Sequence, residues 1–95
     1  MAQVIWTTSA TLALEEIAAY IGEFSERYAK EFVQKIYQRT GQLSVFPLMG
    51  RKIPEIGLDQ YRELIEGNYR IMYELLDKDI ILIQRIIHQA QNFQP

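Results

Sequence analysis

The last third of the chain carries the pattern that most restricts its fold. Three segments rich in β-branched and aromatic residues are separated by two short polar turns. The segments are 61–66, 69–76 and 80–88, and the turns are Gly67-Asn68 and 77–79. Strong strand formers on both sides of such short turns predict three consecutive antiparallel strands, a meander over residues 61–88.

The middle segment of this meander alternates between two kinds of side chain. One face holds Tyr69, Ile71, Tyr73 and Leu75, and the other holds Arg70, Met72 and Glu74. Because successive side chains of a strand point to opposite faces, we expect the aromatic and aliphatic face to pack on the rest of the domain.

The first half of the chain has helical periodicity instead. Apolar residues recur at three- and four-residue intervals in two stretches, which predicts two amphipathic helices. The stripes are Ala10, Leu14, Ile17, Ala18 and Ile21, then Ala29, Phe32, Val33, Ile36, Thr40 and Leu43. Gly22 is expected to end the first helix in a left-handed conformation, Ser25 to cap the second, and Pro47 to stop it, so residues 9–46 form a helical hairpin.

A short strand is expected before the hairpin, at Val4-Ile5-Trp6, followed by possible helix caps from Thr7 onward. Residues 47–60, with two prolines and two glycines, are expected to form an irregular connector. The order is strand, two helices, three strands. This order predicts one α+β domain over residues 1–95, with the helices on one face of the sheet.

Composition excludes several classes of function. The chain has no cysteine, so it has no disulfides, no thiolate metal site and no cysteine nucleophile, and a reducing cytoplasm fits best. Its formal net charge of −2 argues against general nucleic-acid binding, which needs concentrated basic charge. Nothing indicates a signal peptide, a membrane span, a phosphate-cradling loop or a Ser-His-Asp group, and no cofactor, metal or small-molecule substrate is expected.

The order of elements, together with several sequence pieces, resembles the RelE/ParE superfamily of toxins from type II toxin–antitoxin systems. The pieces are Val4-Ile5-Trp6-Thr7, Leu43-Ser44-Val45-Phe46-Pro47 with Gly50-Arg51, Tyr61-Arg62-Glu63-Leu64, Tyr69-Arg70-Ile71-Met72-Tyr73, and Ile86-Ile87-His88. The resemblance implies the α+β fold of that family and a cognate antitoxin as partner. Family members are chiefly ribosome-dependent messenger-RNA endonucleases or ParE-like inhibitors of DNA gyrase.

The tail after His88 favours the ParE-like branch. The endonucleases usually place cations on the meander and an Arg with a Tyr or His-Tyr at the C-terminal end, to stabilise phosphate charge and move a proton. Here the tail reads Gln89-Ala90-Gln91-Asn92-Phe93, without a basic residue or a tyrosine. We therefore expect a non-enzymatic toxin that binds gyrase. The alternatives are an endoribonuclease that uses Arg62, Arg70, Arg85 and His88, or a degenerate member without toxicity.

Two interpretations stay open for each candidate site residue. Arg62, Arg70 and Arg85 could converge on one sheet face to bind an anion, or could pair with acids such as Glu63 and Glu74 across strands. His88 could transfer a proton, or could be a hydrogen-bonded structural residue.

Arg51 and Lys52, on the connector, form a possible partner-contact patch or a simply solvated pair. The aromatic residues of the hairpin are expected to pack in the core rather than to stack on bases. They are Tyr28, Phe32, Tyr37 and Phe46.

Overall fold

The structure is a computed structural model that describes residues 1–77 and 79–95, so Lys78 of the second expected turn lies outside the described residues. Two helices and five strands follow in the order β1, α1, α2, β2, β3, β4, β5. Their bounds are β1 Gln3–Trp6, α1 Thr8–Gly22, α2 Glu26–Gly41, β2 Arg51–Lys52, β3 Tyr61–Glu66, β4 Tyr69–Asp77 and β5 Ile80–His88, with a short 3-10 turn at Gln42–Ser44 after α2. No helix in the described part of the chain has the length and apolar character to cross a membrane.

The expected caps form at both helix starts. The Thr7 hydroxyl accepts from the Ala10 N–H and donates to the Ile83 carbonyl oxygen, which ties the start of α1 to β5. The Ser25 hydroxyl accepts from the Tyr28 N–H at the start of α2. The expected left-handed conformation of Gly22 is wrong, since this residue stays inside α1 and the chain turns after it.

The sheet has five strands in the order β1-β5-β4-β3-β2. The expected meander is confirmed, because β3, β4 and β5 pair in antiparallel fashion, with Gly67 at positive φ in the first turn. The first strand joins the far edge, parallel to β5. The connector is less irregular than expected, because Arg51–Lys52 adds a short antiparallel edge strand to β3.

The core lies between the helices and one face of this sheet. Leu14 of α1, Ile36 of α2 and Ile71 of β4 are buried there, together with Tyr73, while Tyr69 and Leu75 pack against the same cluster. The face of β4 that was expected to be internal is therefore internal. The salt bridge between Arg39 Nη1 and Glu66 Oε1, at 2.9 Å, adds a polar link from α2 to the end of β3.

The expectation that the hairpin aromatics are core residues holds only for Phe32. Its ring packs edge-on against Tyr69, with ring centroids 5.2 Å apart. Tyr28, Tyr37 and Phe46 are 59%, 49% and 62% exposed. Helical spacing groups side chains on one arc, but it does not say that the arc faces the sheet. Tyr28 and Tyr37 lie outside the arc of α2 that does, and Phe46 follows the end of that helix and of its 3-10 extension.

Tyr73 connects the sheet to the loop that follows α2. Its hydroxyl donates to the Pro47 carbonyl oxygen at 2.8 Å and accepts from the Gly50 N–H at 2.9 Å. Burial raises the pKa of Tyr73, so the phenol stays protonated and able to donate at neutral pH. Arg62 Nη1 donates to the Gly50 carbonyl oxygen at 2.9 Å, which fixes the same loop from β3.

This close approach requires a glycine at position 50. A Cβ there would lie 2.6 Å from the Glu63 carbonyl oxygen and 2.7 Å from the Tyr73 hydroxyl. We therefore expect Gly50→Ala to lower the free energy of unfolding by about 1–3 kcal/mol, through overpacking. The measurement is chemical denaturation followed by circular dichroism.

Gly41→Ala is the matched control, because nothing lies within 4 Å of a Cβ at that position and its φ of −60° is helical. This change should leave stability unchanged or raise it by up to about 1 kcal/mol. Equal unfolding midpoints for the two variants would contradict the close packing at Gly50.

Candidate functional site

The strand register sorts the three meander arginines onto two faces. Arg62 is paired with Tyr73, so it lies on the helix side of the sheet. Arg70 and Arg85 lie on the opposite face, called here the open face, beside Met72. The structure therefore brings Arg70 and Arg85 to the open face and places Arg62 on the other face.

A β-bulge decides where Arg85 points. Met72 is paired with Arg85 and Tyr73 with Ile83, so Gln84 is an extra residue in β5. Strict alternation would put Arg85 on the same face as Ile83, inside the core. The extra residue reverses the alternation from that point on, and so it carries Arg85 to the open face.

Arg70 is the centre of a network of ion pairs on the open face. Its Nε donates to Glu63 at 2.7 Å, and its Nη1 and Nη2 donate to the two carboxylate oxygens of Glu55 at 2.8 and 2.7 Å. The Glu63 side chain is fully buried and also accepts from Arg51 at 2.7 Å. Of the two interpretations of Arg70, the structure shows pairing with acids across strands. Arg51 joins the same network through Glu63.

The network shifts the titration of its outer acid. The bidentate hydrogen bonds from Arg70 lower the pKa of Glu55 from its ordinary value of 4.5 to about 2. The same contacts raise the pKa of Arg70. Both groups are therefore charged throughout the physiological pH range, and neither is suited to transfer a proton there.

Arg62 and His88 have structural contacts of their own. Arg62 donates from Nε to the Asp59 carbonyl oxygen at 2.9 Å, in addition to its bond to Gly50. His88 Nδ1 accepts from the Ala90 N–H at 3.0 Å, and its ring lies edge-on to Tyr69 at 5.3 Å. Because His88 is opposite Tyr69 in the register, it belongs to the helix side and not to the open face.

Arg85 has a different environment from the other two meander arginines. Its side chain is exposed, and its guanidinium carbon lies 5.0 Å from the centroid of the Phe93 ring. No carboxylate within the described residues lies within ion-pair distance of it. Lys52, the last of the candidate cations, is exposed at the sheet edge and lies 3.4 Å from Asp59.

The arrangement supplies little for phosphate chemistry. Arg70 already binds two carboxylates, and Arg62 and His88 lie on the other face of the sheet. Of these four candidate residues, Arg85 is the one whose side chain is free to meet an anion. Within residues 1–77 and 79–95, no three His, Cys, Asp or Glu side chains are grouped to hold a metal ion.

Sequence reasoning missed an exposed apolar loop, residues 45–49, which we call the apolar loop. Its exposed side chains are Val45 at 55%, Phe46 at 62%, Leu48 at 64% and Met49 at 38%. The signal was present as five consecutive apolar residues around Pro47. Residues 45 and 46 are expected at the end of α2 and residues 47–49 in the connector, but Thr40 and Leu43 are the last residues of that helix and its 3-10 extension to be buried.

Comparison with known proteins identifies the family of this chain. Residues 4–93 match the family model described as the ParE toxin of the type II toxin-antitoxin system parDE. The protein named Toxin RelE2, from Caulobacter vibrioides, is 34% identical over 92 residues, which cover 96% of this chain and 99% of that protein.

Solved structures share the fold over nearly the whole chain. The chromosomal ParDE toxin–antitoxin system of P. aeruginosa superposes with a TM-score of 0.73 at 23% identity, covering 93% of this chain and 96% of that one. The RelBE2 toxin–antitoxin complex of Mycobacterium tuberculosis gives a TM-score of 0.62 at 25% identity, covering 95% and 93%.

The family model extends over both helices and over the described strands from residue 4 onward, the relative matches nearly the whole chain in sequence, and the solved structures share the fold. The chain therefore belongs to the ParE toxin family of type II toxin–antitoxin systems, within the RelE/ParE superfamily.

Proposed function

We propose that this chain is a ParE-like toxin that inhibits DNA gyrase by binding to it, without cleaving a substrate. In this proposal the toxin is cytoplasmic, and a cognate antitoxin holds it inactive. The observation that carries the proposal is the state of Arg70, whose Nε and both terminal nitrogens already donate to Glu55 and Glu63. An arginine that neutralises two carboxylates has little capacity left to stabilise a phosphate transition state.

The apolar loop is the surface that we assign to the gyrase target. Phe46 and Leu48 are each more than 60% exposed, although Tyr73 fixes the backbone between them at Pro47, and Tyr73 and Arg62 fix it after them at Gly50. A rigid, exposed apolar segment costs little conformational entropy when it binds, and large apolar anchors supply most of the affinity of protein interfaces.

Charge beside this loop supports a protein partner. Lys52 and the outer side of Arg51 lie next to it on the edge strand β2, with side chains 55% and 59% exposed. Positive charge at the rim of an apolar patch accelerates association with an acidic partner and adds specificity. Arg51 and Lys52 are therefore proposed as rim contacts to the target.

The antitoxin partner rests on the family and its neighbours. The solved structures with the same fold include toxin–antitoxin complexes from Mycobacterium tuberculosis and Methanococcus jannaschii, the second with a TM-score of 0.53 at 22% identity over 90% of each chain. By analogy, an antitoxin segment would fold on this chain and cover apolar surface.

The second candidate is a RelE-type, ribosome-dependent endoribonuclease, which the similarity to Toxin RelE2 favours. It would use Arg62, Arg70, Arg85 and His88, and its weakness is that these four side chains are divided between the two faces of the sheet.

The two mechanisms give opposite results in two purified assays. We expect the wild-type chain to inhibit gyrase supercoiling and to leave message on programmed ribosomes uncut. Arg85→Ala combined with His88→Ala should retain growth inhibition, because neither side chain lies on the apolar loop. Codon-phased cleavage that this double variant abolishes would instead establish the endoribonuclease.

A charge in the apolar loop should weaken target binding. Phe46→Glu removes a large apolar anchor, and losses of about 2 kcal/mol or more are typical of such positions, which corresponds to about a 30-fold higher concentration for half inhibition of supercoiling. The matched control is Phe24→Glu, since Phe24 is 76% exposed on the hairpin turn. If both variants inhibit equally, the apolar loop is not the target surface.

The Glu55–Arg70 pair should make the free energy of unfolding depend on pH in the acidic range. The folded-state pKa of Glu55, about 2, is below its ordinary value of 4.5. The ion pair therefore contributes fully to the free energy of unfolding above pH 4.5, and this contribution is lost as the pH falls from 4.5 toward 2. We expect Glu55→Gln to lose less stability than the wild type between pH 7 and pH 3, measured by urea denaturation. Glu15→Gln, on the exposed surface of α1, is the control and should follow the wild type. If the free energy of unfolding of Glu55→Gln depends on pH in the same way as that of the wild type, the Glu55–Arg70 pair does not contribute to stability.

A further inference from the structure

The open face of the sheet holds a groove that the gyrase proposal does not use. Its volume is about 370 Å³, at the small end of ligand-binding sites in proteins. Ile53, Ile56 and Met72 supply apolar walls, with Tyr61 and Phe93 beside them and Arg85 at the rim. The groove is large enough for about one or two apolar side chains, with a cation next to them.

The C-terminal tail forms one wall of this groove. The Gln89 side chain donates to the Gly67 carbonyl oxygen at 2.9 Å, and the Gln91 side chain accepts from the His88 N–H at 2.8 Å, so the tail turns back over the open face. Phe93 then packs on Met72 and Ile87 and lies between Arg70 and Arg85, at 5.9 and 5.0 Å from their guanidinium carbons. The tail narrows the groove but leaves its apolar part open.

Arg85 is the feature that selects an occupant. Arg70 binds carboxylates, and Arg62 binds backbone carbonyl oxygens, whereas Arg85 has only the Phe93 ring among the described residues. A guanidinium held against an aromatic ring keeps its in-plane N–H donors free, and the ligand that fits them is a carboxylate. Apolar walls with a single free arginine at the rim therefore match a carboxylate next to a bulky apolar side chain.

We propose that this groove binds a segment of the antitoxin in which an acidic residue adjoins a large aliphatic or aromatic residue. The carboxylate pairs with Arg85, and the apolar side chain enters between Ile53, Ile56 and Met72. The inference rests on the proposed antitoxin partner, and it adds the chemistry of the recognised segment and a surface separate from the apolar loop.

A nucleic acid fits this groove less well than an acidic peptide. Binding through phosphates needs several free cations. The open face offers one free arginine, Arg85, and it also carries the carboxylates of Glu55, Glu63 and Glu74, on a chain with a net charge of −2. A small apolar recess suits a side chain better than it suits an extended strand of phosphates.

The experiment compares charge reversals in the intact complex. The probe is the protein encoded in the open reading frame adjacent to this chain, and its affinity is measured by calorimetry. Arg85→Glu should weaken binding by at least about tenfold, because a favourable ion pair becomes a repulsive one. The control is Arg27→Glu, which makes the same change of net charge at a side chain that is 91% exposed on α2, and it should bind like the wild type.

Two further results support the assignment. In cells, Arg85→Glu should remain toxic even when the adjacent protein is present, since the apolar loop is intact. Replacing the acidic residue of the bound segment with arginine should restore affinity for Arg85→Glu and lower affinity for the wild type.

The outcomes separate this inference from the proposed function. If the wild type forms a complex that Arg85→Glu keeps at full affinity, the groove is not the antitoxin site, although the toxin–antitoxin pairing stands. If the wild type forms no complex at all, the pairing and the inference both fail. Loss of toxicity together with loss of message cleavage in Arg85→Glu would assign Arg85 to a phosphate and overturn the peptide assignment.

Discussion

The buried carboxylate of Glu63 is the constraint on which the open side of this domain depends. A carboxylate with no exposed surface is costly unless cations and donors surround it, and Glu63 receives one from each neighbouring strand, Arg70 on β4 and Arg51 on β2. Arg70 then binds Glu55 of the connector. Charge pairing therefore holds the two-residue edge strand and the connector to the sheet, together with the buried side chain of Ile53.

This arrangement gives the central arginine of the sheet a structural role. In a toxin that cleaves RNA, cations on the meander would face an empty site, whereas here the central cation has been used to stabilise the fold. On the helix side, Tyr73 and Arg62 play the corresponding part for the loop after α2. The result is a rigid scaffold with two exposed features, the apolar loop and the groove beside Arg85, that suit binding to proteins.

Local pattern predicted the elements well and their long-range relations poorly. The alternation from Tyr69 to Leu75 gave the correct internal face, and the polar turn at Gly67-Asn68 gave the pairing of β3 with β4. The parallel pairing of β1 with β5 could not be predicted, because a four-residue strand carries no information about a partner 77 residues away. The same applies to β2, whose two residues form a strand by pairing with Glu63 and Arg62 of β3.

The candidate site depended on register, which composition does not encode. Whether Arg62, Arg70 and Arg85 meet is decided by the pairing of Arg62 with Tyr73 and by the bulge at Gln84, and neither leaves a recognisable sequence signal. The partners of Arg70 could be guessed in part, since Glu63 was a plausible cross-strand acid. Glu55 was not, because it comes from the connector.

We infer that Arg70 stabilises the fold and takes no part in chemistry on a phosphate. The test is the growth inhibition caused by a variant in which both charges of the Glu63–Arg70 pair are removed, Arg70→Gln with Glu63→Gln. The unfolding midpoint of this variant is determined first. We expect this variant to stay toxic at temperatures where it is folded. A variant that is folded at the assay temperature and yet harmless would give Arg70 a role beyond stability, and the fold-only role would be wrong.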